Sequence, residues 1–322
     1  MPSLNPLQAE HQTSNHPKKK SMKSGIIAIH KPCGISSARV VARVKKALGA
    51  KKVGHTGTLD PFATGLLLCA INKGTRISGF FLGGQKRYLA RICLGVETDT
   101  YDPTGKIVCC AQRTVLDGLK IQNIEQTIKS FIGIQNQIAP AFSALKHNGQ
   151  PLYKLARQGK KIQKPPRQIE IFDISINRIE MPNIDIEIFC SSGTYIRSLA
   201  FDLGQKLGCG AHLSKLCRTQ SSNFLLKNAI ELDALERLDI KLVEQRIISL
   251  SNCLEFMPKI VANKACAQKI KFGQKLLKNE LGVIPGKKDQ LIRVIDDKND
   301  LLAIIQSNEN KEEYNYSCVF SS

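Results

Sequence analysis

Residues 54–65 read Gly-His-Thr-Gly-Thr-Leu-Asp-Pro-Phe-Ala-Thr-Gly, and a run of apolar residues follows at 66–71. Glycine lets a backbone turn sharply and approach a ligand closely. Pro61 fixes its own φ and keeps Asp60 out of the α region. The segment is therefore expected to be a loop that presents one carboxylate, Asp60, before the chain enters a buried strand. It lacks the Lys-Ser/Thr ending of a phosphate-cradling loop and the glycine spacing of a dinucleotide site. Taken alone, it is equally compatible with an ordinary Gly/Asp-Pro turn.

The rest of the chain narrows the choice. It has 322 residues, enough for roughly two domains. Lys and Arg exceed Asp and Glu by 47 to 27, a net charge of +20. Such an excess attracts polyanions, with RNA or DNA first and an anionic membrane surface second. No apolar run approaches the roughly 20 residues that span a bilayer, so no integral membrane protein is expected. The eleven cysteines contain no C-x-x-C pair, and Cys109 and Cys110 are adjacent. Free thiols in a reducing cytosol fit this usage better than disulfides or a metal site. Residues 1–24 are polar, carry Lys18-Lys19-Lys20 and lack an apolar core. They are expected to form a disordered basic tail rather than a secretory signal.

Hydrophobic patterning divides the remainder. Residues 25–30 form a short apolar run, expected to be a strand. Ser36 or Ser37 can cap a helix with Val40, Val41, Val44, Ala47 and Leu48 on one face, ended by Gly49. Arg39, Arg43, Lys45 and Lys46 lie on its other side. Residues 86–96 and 106–110 are expected to be neighbouring strands joined by a turn-rich link that holds Asp99 and Asp102. Residues 121–132 carry one amphipathic helix. At 135–167 the periodicity fails among Pro140, Gly149, Pro151, Gly159, Pro165 and Pro166, with many cations and Phe142 and Tyr153. Such an irregular basic insertion is a candidate nucleic-acid arm. Alternation at 168–181 and 184–188 marks half-buried strands. A helix with Ile196, Leu199, Ala200, Leu203 and Leu207 on one face follows. Its first turn holds Arg197, a cation opposing the helix dipole, so an anionic neighbour is expected. Residues 213–226 are expected to be a strand containing Leu216. Beyond Met257-Pro258, a basic helix, a glycine-flanked segment at 282–286 and a hairpin at 291–305 suggest a small, mostly β appendage.

One carboxylate on a glycine-bent loop excludes several chemistries. Metal-dependent nucleases need clustered carboxylates. Glycosidases need two across the scissile bond, and only Asp99 and Asp102 could supply a second. A lone aspartate can still act as a covalent nucleophile at a sugar or an electrophilic base. On RNA or DNA the target nucleotide must first leave its stack.

Six motifs stand in order along the chain: Lys31-Pro32 with Gly34, Ser36 and Ser37; the Asp60 loop; Lys86-Arg87-Tyr88; Thr98-Asp99-Thr100 with Asp102 and Gly105; Ser143-Ala144-Leu145-Lys146 through Gly159; and Ser192-Gly193-Thr194-Tyr195-Ile196-Arg197. Together they resemble those of the bacterial TruB-type tRNA pseudouridine-55 synthases. The resemblance covers roughly residues 25–230. It implies an α+β fold: a mixed, mainly antiparallel sheet catalytic domain of the pseudouridine synthase type with flanking helices at 25–255. The family's mobile thumb would be at about 135–167. A small, mostly-β PUA-like RNA-binding domain is implied at 256–322 by a looser match.

The implied activity is isomerisation of uridine 55 in the T-arm of tRNA to pseudouridine, without cofactor or metal. Asp60 would be the nucleophile, with attack on the uracil and on the ribose both open. Tyr88 would stack on the flipped base and assist loss of the C5 proton. Arg197 would pair with Asp60 and lower its pKa. Tyr195 and Leu216 would line the base pocket, and His55 would contact RNA. Lys31 with Pro32 would shape the rim and touch phosphate. A cytoplasmic monomer acting on tRNA without a protein partner or membrane is expected. The rival readings are a tRNA-folding chaperone or ribosome-assembly protein on the same fold, and a related synthase acting on other RNA, such as the guide-RNA-dependent kind. Thr58 replaces an alanine common in the family.

Overall fold

The computed structural model describes residues 22–281, 290–307 and 312–320. The basic tail up to residue 21 and the segment 282–286 lie outside the described residues. Among those described, one large sheet organises the chain. Its order is Ile230–Glu231, Gly25–Lys31, Thr64–Ile71, Ala211–Ser221, Lys86–Leu94, Asn183–Cys190, Arg167–Glu180, Gly133–Gln137. Neighbours run antiparallel except at two places. Gly25–Lys31 is parallel to Ile230–Glu231, and Thr64–Ile71 is parallel to Ala211–Ser221. The α+β expectation holds.

The apolar pattern explains the layers. Along Lys86–Leu94, the buried Tyr88, Ala90 and Ile92 alternate with more exposed residues. Period-2 alternation sends these three to one face, where they pack on Ile196, Leu199, Ala200 and Leu203 of the helix Ile196–Lys206. Thr64–Ile71 is buried on both faces, as its unbroken apolar run requires. One face packs on Val40, Val44 and Leu48 of the helix Ser37–Leu48. Ser36 caps that helix by accepting from Arg39 N at 3.2 Å, and Gly49 ends it with φ +57°. Arg43 does not contribute to a free basic face, because it ion-pairs with Asp233 and Glu236.

The link after Lys86–Leu94 differs from the sequence expectation. The strand stops at Leu94 because Gly95 takes φ +82°, and a separate strand Val96–Thr98 pairs with Ile107–Cys110. Both Cys109 and Cys110 are exposed there, while Cys69, Cys190, Cys209, Cys253 and Cys266 are buried; all eleven cysteines are free.

The irregular insertion is partly built. Gln137 and Arg167 belong to sheet strands, and between them stand a small hairpin, Lys146–His147 with Gln150–Pro151, and the helix Leu152–Arg157. The six residues of this helix are too few for helical periodicity to register.

The last part forms a four-stranded sheet in the order Lys259–Val261, Leu291–Ile295, Leu301–Gln306, Asn315–Val319, with the helix Lys264–Lys271 beside it. It is not a loose appendage. Leu301, Ile304 and Phe320 share one apolar cluster with Phe81, Phe224 and Leu254. Lys73 Nζ donates to Phe320 O at 3.0 Å, and Arg293 Nη1 donates to Ser251 O at 2.7 Å. We propose the division at about residue 256, with the two units docked through this cluster.

Candidate active site

The Asp60 loop is held from below by a buried lysine. Lys31 is fully buried, and its Nζ donates to Pro32 O, Pro61 O and Ala63 O at 2.9, 3.1 and 2.6 Å. Burial pulls its pKa down to about 8, against the opposing charge of Asp60. This corrects the expectation that Lys31 touches phosphate, because its ammonium is spent on three backbone carbonyls, two of them in the loop. Pro32 is half-exposed and lies outside the cavity wall. Ser37, the second residue able to cap the first helix, instead exchanges two hydrogen bonds with Leu59, each 2.9 Å. Gly57 and Gly65 take φ of +109° and +104°. A Cβ on Gly65 would stand 2.4 Å from Arg218 O, so glycine is needed there for close strand approach.

The carboxylate meets the expected cation. Arg197 Nη2 donates to Asp60 Oδ1 at 3.2 Å, and Nε stands 3.0 Å from Oδ2. The same guanidinium donates through Nη1 to Asp102 Oδ2 at 3.1 Å and Thr100 O at 3.0 Å, and through Nη2 to Phe142 O at 2.9 Å. Arg197 is 3% exposed. Two carboxylates offset its unfavourable place at the helix start. Asp102 is fixed in turn by Thr100 Oγ1 at 2.8 Å and by Thr104 N and Oγ1 at 2.9 and 2.6 Å. Sequence reasoning left Asp102 as a turn residue.

The net direction of the Asp60 pKa is upward, contrary to the expectation for an arginine-paired carboxyl. Burial is the largest cause; Arg197 and Lys31 oppose it, and Asp102 adds repulsion. Because Arg197 divides its charge between two acids, it only partly offsets desolvation.

Asp60 opens into a cavity of about 510 Å³ whose wall includes Tyr88, Tyr195, Arg197 and Leu216. Tyr88 is nearly buried, and burial raises its phenol pKa while Arg218 pulls it back. Arg218 pairs across strands with Tyr88, is 1% exposed, and donates through Nε to Leu66 O at 2.8 Å and through Nη2 to Gly57 O at 3.1 Å. It ties the Asp60 loop to the Tyr88 strand and was missed. The register shift between Leu213 and Lys215 hides its inward position from simple alternation. Lys86 was also assigned no role. It is buried in the wall, with Nζ donating to Leu82 O at 2.9 Å, and its pKa is pulled down to about 8 by burial and then by Arg218.

His55 is not part of the wall. It ends the short strand Val53–His55 that leads into the loop, and its buried Nδ1 has no protein partner among the described residues. Burial and then Arg218 lower its pKa, which favours neutral imidazole.

Comparison with known proteins accords with this geometry. The profile described as "TruB family pseudouridylate synthase (N terminal domain)" matches residues 45–196, and "tRNA pseudouridylate synthase B C-terminal domain" matches 197–256. The chain is 41% identical over 248 residues to tRNA pseudouridine synthase B of Syntrophotalea carbinolica, covering 77% of this chain and 79% of that one. It is 39% identical over 290 residues to tRNA pseudouridine synthase B of Thermotoga maritima, covering 90% and 92%. Among solved structures, the archaeal box H/ACA sRNP Nop10-Cbf5 complex aligns with a TM-score of 0.70 at 22% identity, over 95% of this chain and 88% of that one. That likeness concerns the fold alone. The chain belongs to the TruB family of pseudouridylate synthases.

Proposed function

We propose that the protein converts uridine 55 in the T-arm of tRNA to pseudouridine, with Asp60 as the nucleophile. The observation that carries this reading is the convergence of Asp60, its shared cation Arg197 and the aromatic Tyr88 on one cavity. About 510 Å³ lies within the usual range for small-molecule pockets and suits one nucleobase. A base can enter only after leaving its stack.

The reaction is a balanced rearrangement. The N1–C1′ bond breaks, the uracil turns, C5 bonds to C1′, C5 loses its proton and N1 gains one. Asp60 holds the detached partner through a transient covalent bond. No oxidant or reductant enters the balance. Arg197 holds the attacking carboxylate in place, while Leu216 and Tyr195 bound the space in which the base turns. Tyr88 stacks on the uracil, and its phenol relays the C5 proton, accepting it while releasing its own. Such a protein needs no partner and acts as a monomer in the cytoplasm.

Digestion of an unmodified tRNA transcript after incubation with the purified protein should give one pseudouridine per molecule, at position 55. Tyr88→Phe should leave substrate affinity near wild type, because the ring remains. Turnover should fall by about two orders of magnitude, the scale of a lost proton-transfer group. Unchanged single-turnover rates would remove the relay role.

The basic helix beside the small sheet is assigned to the tRNA body. Lys264 and Lys271 are exposed on it. Replacing both with Gln should reduce the slope of log affinity against log salt by about 1.4–1.8, the share of two phosphate contacts. An unaltered slope would remove this helix from the RNA interface. Truncation is a poorer test, since it would expose the cluster around Phe81 and Leu254.

A further inference from the structure

Four cations line the Asp60 cavity: Lys86, Arg167, Arg197 and Arg218. Three already hydrogen-bond protein groups. Arg197 serves two carboxylates and two carbonyls, Arg218 serves Leu66 O and Gly57 O, and Lys86 serves Leu82 O and Gly84 O. Arg167 is different. It makes no ion pair or side-chain hydrogen bond among the described residues, and its Nε is buried without a partner. A guanidinium has five N–H donors in a rigid fork, and a buried donor left unmet is costly.

Its position is nevertheless set by the fold. Its Cζ stands 4.9 Å from the centre of the Tyr195 ring. A Cβ on Gly193 would lie 3.0 Å from Arg167 Cζ and 3.1 Å from Nη1 and Nη2, tighter than ordinary contact, and Gly193 has φ +79°, so glycine suits this place beside the guanidinium. Across the sheet, Arg167 pairs with Gln137. Gln137 grips the Tyr195 backbone twice: Nε2 donates to Tyr195 O at 3.0 Å, and Tyr195 N donates to Oε1 at 2.7 Å. Arg167, Gln137 and Tyr195 thus form one unit at the junction of the thumb and the sheet.

We propose that Arg167 is the phosphate clamp of the flipped nucleotide, gripping the phosphodiester 5′ to the target uridine so that its base lies over Asp60. The inference rests on the pseudouridine synthase reading above. An arginine fork grips a phosphate through two parallel N–H···O bonds, which fixes orientation as well as charge. The other three cations of the cavity are held by protein groups, which leaves Arg167 as the one among the described residues with its fork unpaired.

The test uses a T-arm stem-loop, unmodified or with one methylphosphonate 5′ to the target uridine, with the full-length wild type, Arg167→Gln and Arg167→Lys. Arg167→Gln should weaken binding and raise KM by about 10–100-fold, the scale of a charge-assisted hydrogen bond, with a smaller effect on kcat. Its salt slope should fall by about 0.7–0.9. Arg167→Lys should restore the slope without restoring the full affinity. The methylphosphonate should weaken wild type by a similar factor and leave Arg167→Gln unaffected. Matching circular dichroism and unfolding midpoints would show that the variants are folded. Equal methylphosphonate penalties in wild type and Arg167→Gln, or an unchanged KM and slope, would overturn the proposal. Wild type that binds the stem-loop but makes no pseudouridine would instead overturn the functional reading, and the binding measurements would still judge the clamp.

Discussion

Asp60→Asn is expected to abolish pseudouridine formation while tRNA binding survives. The change keeps the shape of the side chain and removes its nucleophilic charge. The drop should reach at least about four orders of magnitude, as when a nucleophile is removed from other covalent enzymes. The loop should persist, because Lys31 and Ser37 hold it through backbone groups and not through the Asp60 carboxylate. Single-turnover measurements separate chemistry from product release. A variant that still turns over near the wild-type rate would remove Asp60 from the chemistry.

Arg197→Met is expected to have the second largest effect, on both activity and stability. It leaves Asp60 facing Asp102, a buried carboxylate, without the cation that joins them. Removing one partner from a buried ion pair costs about 3–5 kcal/mol, read as the change in denaturant unfolding free energy. Turnover should fall by about 10²–10³-fold, the scale of one lost preorganised electrostatic contact. The pH profile supplies a sharper sign. Burial raises the Asp60 pKa, so the ionised nucleophile is lost on acidification at a higher pH than for an ordinary aspartate. The acid limb of kcat/KM in wild type should therefore lie above the usual aspartate range. In Arg197→Met it should move higher still, because the guanidinium charge that opposes burial is gone. A limb that stays in place would contradict the shared-cation account. Asp102→Asn works in the opposite direction: it removes repulsion and should move the limb down.

The Asp60 loop was legible in the sequence as a turn, and Arg197 as a residue that opposes a local preference. Glycines with Asp-Pro in front of an apolar run mark a turn that enters a buried strand, and a cation in the first helical turn demands an anion. The structure supplies two anions, and the second explains what was hidden. Asp102 lies in a turn-rich link, where acids are ordinary, and its contact with Arg197 spans 95 positions. Arg218 was hidden because bulges disturb the alternation of its strand. Lys31 was given a phosphate role by the resemblance, whereas here three carbonyls absorb its donors. The strand Asn315–Val319 could not be placed from its own residues. Its pairing with Leu301–Gln306 is non-local, and none of its five residues is fully buried. Local pattern thus fixes elements and caps, while the shared ion pairs and sheet partners follow only from the fold.

The central claim is tested most directly by a T-arm stem-loop whose only tritium sits on C5 of uridine 55, mixed with excess purified protein. Bond formation at C5 must release that label. The account predicts release of one tritium per RNA molecule by wild type and none by Asp60→Asn. Retention of the label by wild type, or release undiminished in Asp60→Asn, would contradict it.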